Sequence, residues 1–403
     1  MTSSDTFGGT EGGSTEGVRL GGTAGTTAGV PSGKAAQHPL EDHPSAAGRR
    51  PGTARLDTAL GPPVSLATTY LGLSLRNPLV ASPSPATSTV DRLRALADAG
   101  VGAVVLPSLY EEEVNAEELH ELELTEPFAD VHGEAQGYLP RLPESSLPGA
   151  TSRYLGLVEQ AVRAVDIPVI ASLNGSTVGG WIDFARRIEA AGAAALELNV
   201  YFVPGDPHTS GRAVEDRHVE IVRQVKSVVS FPVAVKLSPH FSSTGEMAMR
   251  LDAAGADGLV LFNRFLHPDV DPETLVVAPG VGLSTPEEGR LARSWIAILN
   301  GHVRASLAAT TGVEDARDVA AYLLAGADVV MTASALLRHG IGHAEVLLEG
   351  LTEWLRRKGF GSVAEARARL AVPTGVDADA YQRAGYVAAL DTARRTYGAL
   401  NAP

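Results

Sequence analysis

Hydrophobic and polar positions alternate along this chain in a rhythm of short apolar runs separated by longer amphipathic stretches. The runs Leu79–Ala81, Ala103–Leu106, Pro168–Leu173, Ala195–Val200, Val233–Leu237, Gly258–Phe262, Ala305–Thr310 and Asp328–Thr332 lack the in–out alternation of a half-exposed strand. They have the character of strands buried on both faces. Between them the spacing predicts helices over Ser88–Ala97, Thr151–Val165, Trp181–Ala191, Glu215–Val228, Gly245–Ala254, Glu287–Leu299 and Glu314–Leu324, with Ala344–Lys358 after the last strand. Several helix-to-strand joints share one form: Asp98-Ala-Gly100, Ala190-Ala-Gly192, Ala253-Ala-Gly-Ala-Asp257 and Leu324-Ala-Gly-Ala-Asp328. Glycine closes the helix in a left-handed cap, and small residues let the next strand begin at once. Strand and helix alternate eight times, a rhythm that predicts a (β/α)8 barrel in preference to an open doubly wound sheet.

Flanking segments break the rhythm. Residues 1–55 are rich in Gly, Ser and Thr and nearly devoid of large apolar side chains, so a disordered tail is expected there. A short two-strand pattern around Gly72 leads into the barrel, which is expected to span 64–358. Two long connections, Tyr110–Gly149 and Arg264–Leu283, leave the C-terminal ends of strands, where barrel enzymes carry their sites, and are expected to form lids or substrate walls. A helical extension over 359–403 is expected, in which Tyr381, Ala384, Tyr386, Val387 and Leu390 would pack on the barrel or on a second subunit.

Composition narrows the function. Aromatics at 5% and a formal net charge of -14 disfavour a nucleic-acid surface. The absence of cysteine excludes disulfides, thiolate metal sites and a cysteine base. No His/Asp/Glu grouping has metal-ligand spacing, so no metal is expected, and there is no Gly-rich dinucleotide fingerprint. No apolar run is long enough to span a membrane, and the N-terminus lacks the features of a secretory signal, so cytoplasmic residence is the expectation.

The strand ends collect small polar residues: Ser82, Ser108, Asn174, Asn199, Asn263, the Thr310-Thr-Gly312 turn and Thr332-Ala-Ser334. Such a ring is what a bound polar ligand requires. Thr311, Gly312, Ala333 and Ser334 at the last two strand ends would free backbone N–H groups for a phosphate. Lys236 stands inside an apolar strand and must find an anion. It could stabilise the reduced anion of an electron-rich ring, or hold a phosphate or carboxylate in a lyase. His240 and His208 are candidate proton carriers on loops at the same face.

Asn77-Pro-Leu-Val-Ala81, Glu197-Leu-Asn199, Val235-Lys-Leu-Ser-Pro239, the Gly255-Ala-Asp257 strand ending at Asn263, and Gly326-Ala-Asp328 with Ala333-Ser-Ala-Leu336 together resemble the dihydroorotate dehydrogenase family of FMN barrels. The resemblance covers about residues 64–358 and looks closest to the dihydroorotate dehydrogenase-like branch. It implies FMN as cofactor, with Lys236 at the pyrimidine edge of the flavin and Asn174 helping to hold the ring. It further implies Gly312, Ala333 and Ser334 on the phosphate, Asn199 and Asn263 facing substrate, and a homodimer. The chain departs from the family at the base. Phe202 stands three residues after Asn199, where soluble members carry a cysteine, and 200–203 contain no serine. The family's lysine after the second strand falls near Pro107 and Ser108. A carbon acid cannot be deprotonated by phenylalanine, so the expected substrate is a small polar molecule other than dihydroorotate. The alternatives are a non-catalytic electron-transfer subunit with a redox partner protein, and a flavin-free lyase or isomerase using Lys236.

Overall fold

The computed structural model describes residues 63–114, 149–175, 177, 181–202, 205–264, 268–280 and 282–398. The expected tail over 1–55 and most of the acidic loop after Tyr110 lie outside the described residues. An antiparallel hairpin of β1 (Thr68–Tyr70) and β2 (Leu73–Leu75) precedes the barrel. Strands β3 (Leu79–Ala81), β4 (Ala103–Tyr110), β5 (Val169–Gly175), β6 (Ala195–Val200), β7 (Val233–Leu237), β8 (Gly258–Leu261), β11 (Ser306–Ala309) and β12 (Val329–Thr332) form a closed parallel barrel in which β12 pairs with β3. The (β/α)8 architecture expected from the rhythm of apolar runs is the one observed. Between β8 and β11 a second hairpin, β9 (Pro268–Asp271) and β10 (Val276–Pro279), fills a stretch in which no strands were expected.

The helices of the units are α1 (Val90–Asp98), α2 (Ala150–Ala164), α3 (Trp181–Ala190), α4 (Gly211–Lys226), α5 (Thr244–Ala253), α6 (Gly289–Leu299), α7 (Ala316–Ala325) and, after the short α8 (Ser334–His339), α9 (His343–Lys358). The chain ends in α10 (Val363–Ala366) and α11 (Ala378–Tyr397). No helix among the described residues is long and apolar enough to cross a membrane.

Alternation along each strand divides the core in two. Leu196, Leu198, Val233, Val235, Leu237, Leu259 and Leu261 point outward and pack under the helices. Val80, Val105, Ile170, Ala195, Ala234, Val260, Ala308 and Met331 point inward and meet Tyr70, Leu71 and Leu75 of the first hairpin. The hairpin is therefore a plug in the N-terminal end of the barrel. It is pinned by Leu71 N–H donating to Ser306 Oγ at 3.1 Å and Thr68 Oγ1 donating to the Asp328 carbonyl at 2.9 Å. At Gly258 an added Cβ would lie 2.5 Å from the Leu71 side chain, so the plug requires glycine at that strand start.

The small-residue joints do the work their sequence suggested. Gly100, Gly192, Gly255 and Gly326 all adopt positive φ. The aspartates that follow two of them cap neighbouring strands: Asp257 Oδ2 accepts Val233 N–H at 2.8 Å, and Asp328 Oδ2 accepts Leu307 N–H at 2.8 Å. Of the two surfaces expected to cover the extension, the barrel is not the one used: Tyr381, Ala384, Tyr386, Val387 and Leu390 of α11 are exposed, and α11 buries no residue within this chain. Tyr386, Leu390 and Tyr397 recur at helical spacing on one face of α11 while Tyr381 lies on the other, and Gln382 Nε2 donates to Ser294 Oγ of α6 at 2.9 Å.

The plug yields a stability test. The Tyr70 hydroxyl is buried and without a hydrogen-bond partner among the described residues. Tyr70→Phe is expected to leave thermal stability unchanged or raise it, because it removes an unpaired buried donor. Tyr70→Ala is expected to cost about 3–5 kcal/mol by opening a cavity in the plug. Denaturant unfolding of the two variants beside the wild type checks both.

Candidate active site

Above the apolar plug the barrel interior turns polar. Ser172 and Glu197 lie one layer below Asn199 and Lys236, and register places Asn174, Asn199 and Lys236 side by side on β5, β6 and β7. Asn263, just past β8, donates from Nδ2 to Asn199 Oδ1 at 2.8 Å. The two asparagines that the sequence marked as facing substrate thus touch each other and fix one another's amide orientation. Ser108 and Ser172 hydroxyls are 2.8 Å apart. Ser108 follows Pro107, where the β4–β5 register shifts, as expected of a proline that cannot donate to the ladder.

A cavity open to solvent lies at the C-terminal ends of β7, β8, β11, β12 and β3. Ser82, Lys236, Asn263, Thr311, Gly312, Ala333 and Ser334 all line it, so seven sequence-marked residues meet in one space. Asn174 does not line it. It borders a smaller apolar recess with Tyr110, Glu111 and Trp181. His240 is exposed and lines an adjoining cavity that shares Phe262, Asn263, Arg264 and Thr311 with the first. His208 lies on an exposed turn closed by its own N–H to Asp206 Oδ1 at 2.9 Å. Phe202 lies under the Arg217 guanidinium, 4.1 Å from its ring centroid. Its ring is engaged by a cation on α4.

The end of the cavity formed by Thr311 and Gly312 is built on strained backbone. Thr311 has φ 78° and Gly312 φ 69°. For a β-branched threonine this conformation is unfavourable and needs support. Support comes from Tyr322 on α7, whose hydroxyl lies 2.6 Å from the Thr311 carbonyl, and from Thr311 Oγ1 donating to the Phe262 carbonyl at 3.2 Å. At Gly312 any Cβ would fall 2.6 Å from the Thr285 carbonyl oxygen. Ser284 closes the cradle: its Oγ accepts Gly312 N–H at 3.3 Å and lies 2.9 Å from Ser334 Oγ, while its N–H donates to Ser334 Oγ at 3.1 Å. Sequence reasoning missed Ser284 and Tyr322. Ser284 reaches the site from a connection and Tyr322 from a helix rather than from a strand tip, and no local pattern marks such residues.

Lys236 and Glu197 form the one ion pair inside the barrel among the described residues. Lys236 Nζ is 3.4 Å from Glu197 Oε1, with the residues 8% and 1% exposed. Behind β6, His218 of α4 is buried with Nδ1 2.8 Å from the Val214 carbonyl and its ring edge-on to Phe241. Burial pushes the His218 imidazole below its usual pKa, only partly opposed by its hydrogen bond to the Val214 carbonyl. Among the described residues no group of side chains is arranged to hold a metal ion.

A (β/α)8 barrel with a polar cavity at the C-terminal strand ends defines the class of protein: a barrel whose site is assembled from strand tips and the loops beyond them. The comparisons with known proteins narrow it. A family model described as dihydroorotate dehydrogenase matches residues 148–355, about half of the chain. Among curated relatives, the catalytic subunit of dihydroorotate dehydrogenase B (NAD(+)) from Halalkalibacterium halodurans is 35% identical over 177 residues, 42% of this chain and 58% of that protein. The subunit of the same description from Bacillus pumilus is 31% identical over 235 residues, 57% of this chain and 74% of that protein. The chain belongs to the dihydroorotate dehydrogenase family. It does so without any cysteine.

Two measurements test this geometry. Gly312→Ala is expected to lower the melting temperature, because an alanine at this φ costs about 1–2 kcal/mol before the overlap with Thr285 is added. The second concerns pH. The folded-state pKa of His218 lies below its unfolded value of 6.5. The unfolded chain therefore binds the proton more tightly, and stability present above that pH is lost as pH falls through it. His218→Gln is expected to flatten the decline in melting temperature between about pH 7 and pH 5 relative to wild type.

Proposed function

We propose that the protein is an FMN-dependent oxidoreductase acting on a small polar substrate other than dihydroorotate. The coarser part of this reading, an oxidoreductase of the dihydroorotate dehydrogenase type, follows from family and fold. The single observation that carries the cofactor is the shared cavity. It has Lys236 at one end and, at the other, the Gly312 turn with Ala333 and Ser334. An ammonium at one end and backbone N–H groups with hydroxyls at the other suit a ligand with an electron-rich ring edge and a phosphate. The donor set of this chain fits FMN.

When bound, FMN would supply the hydride chemistry, and the protein binding, orientation and electrostatics. Lys236 is the residue we assign to the pyrimidine edge, where a fixed ammonium favours added negative charge. Gly312, Ala333 and Ser334 would hold the phosphate, with Ser82 and Thr311 lining the space between. Asn199 and Asn263 would orient the substrate through amide groups that the hydrogen bond between them holds in place. What argues against dihydroorotate is Phe202: its ring stacks on Arg217 and offers no proton acceptor. His240, on the rim of the adjoining cavity, is the residue we assign to proton transfer ahead of His208, whose turn borders neither cavity.

The test is direct. Purified protein is expected to carry, or to take up when titrated, one FMN with the visible absorption of a bound flavin. Lys236→Met is expected to weaken FMN binding about tenfold or more, the loss of one charge-assisted contact. A colourless protein that binds no flavin would favour the lyase reading. Binding without reduction by any candidate donor would favour the electron-transfer subunit.

A further inference from the structure

Glu197 plays no part in the chemistry above, yet it occupies an expensive position. It lies on β6 two residues before Asn199, so its side chain enters the same barrel interior one layer deeper. The residue is 1% exposed. Its Oε1 is 3.4 Å from Lys236 Nζ, and its Oε2 is buried without a hydrogen-bond partner among the described residues. Beneath it the plug offers the Tyr70 hydroxyl, also unpartnered. Burial holds that hydroxyl protonated far above its usual range, and the Glu197 charge adds to the effect. Of its register partners, Ser172 on β5 has its hydroxyl 2.8 Å from that of Ser108, and Ala234 on β7 is apolar, as are the inward Ile170, Ala195 and Val260 nearby. A carboxylate here, with half its acceptor capacity unused, contributes less to folding than an apolar side chain of the same size would. Pairing across β6 and β7 sets Asn199 against Lys236, which leaves Glu197 one layer below the ammonium, where its carboxylate reaches Nζ.

We propose that Glu197 is a positioning residue that holds the Lys236 ammonium at the cavity wall and offsets its charge, thereby setting the reduction potential of the bound flavin. The inference rests on the flavin reading of the preceding subsection. A lone buried ammonium would strongly favour electrons entering the flavin. A carboxylate 3.4 Å behind it cancels part of that field. Removing the carboxylate therefore makes the flavin easier to reduce, and the effect passes through Lys236.

The experiment compares wild type, Glu197→Gln, Glu197→Asp, Lys236→Met and the double variant Glu197→Gln/Lys236→Met. Each is titrated with FMN by quenching of flavin fluorescence, and the midpoint potential of the bound flavin is then measured against reference dyes. Glu197→Gln is expected to raise the potential by about 30 mV or more, a tenfold change in the oxidised-to-reduced ratio for a two-electron couple. Glu197→Asp, which keeps the charge but draws it back from the amine, is expected to give a smaller rise. In the Lys236→Met background Glu197→Gln is expected to add much less than it does alone, as required of two residues that act together. An unchanged potential in Glu197→Gln with a lowered melting temperature would reduce Glu197 to a structural role and overturn the proposal. An undiminished shift in the Lys236→Met background would overturn it too, by showing that Glu197 acts without the lysine. Should Glu197→Gln fail to fold, the absence of any shift in Glu197→Asp decides against it. A wild type that binds no FMN would remove the flavin reading and this inference together, whereas FMN binding with unchanged potentials removes only this one.

Discussion

Everything in this molecule depends on how the interior of a closed parallel barrel is filled. Every second side chain of eight strands points into it, and no solvent reaches the lower half. The protein divides the space. At the N-terminal end a hairpin contributes Tyr70, Leu71 and Leu75 to an apolar plug of small and branched residues. At the C-terminal end the inward positions become Ser172, Glu197, Asn199 and Lys236. The boundary between the halves is sharp: Ala195 belongs to the plug, and Glu197, the next inward residue on the same strand, belongs to the polar layer. Burying an ion pair just above a hydrophobic floor costs stability, and a polar cavity immediately above gives that cost a purpose.

The second constraint is backbone strain at the far end of the same cavity. Thr311 and Gly312 turn with positive φ, and the turn is held from outside by Tyr322 and from across by Ser284. The two ends of the cavity are thus rigid for different reasons. One is fixed by charge inside the barrel, the other by hydrogen bonds from a helix and a connection around it. A ligand that spans both would meet two fixed ends, and at the Gly312 end it would replace Ser284 Oγ as acceptor of the Gly312 N–H.

Much of this was legible along the chain. Two-sided burial turns a strand into a continuous apolar run, so the barrel strands could be counted. The Gly-Ala-Asp joints announced their turn, because glycine closes a helix tightly, while the capping of the neighbouring strand by the aspartate emerged only from the structure. Lys236 stood out because a cation has no reason to sit in an apolar strand unless something answers its charge. The hairpin over 268–279 was not legible. Val270, Val276 and Val277 are exposed, and their run lacks the contrast between faces that reveals a strand. Nor was the open packing of α11, since apolar residues look alike whether or not another surface covers them.

The sequence by itself determined the fold class, the strand tips that line the cavity and the absence of any cysteine, because these are properties of local pattern and residue identity. It also displayed Glu197, but only as one letter of a motif beside Asn199. That Glu197 answers Lys236, that Asn263 meets Asn199, and that Ser284 closes the Gly312 cradle were decided by tertiary structure alone. Each pairing joins residues separated by 28 to 64 positions. Each depends on register around a closed barrel, which no stretch of sequence specifies until all the strands have paired.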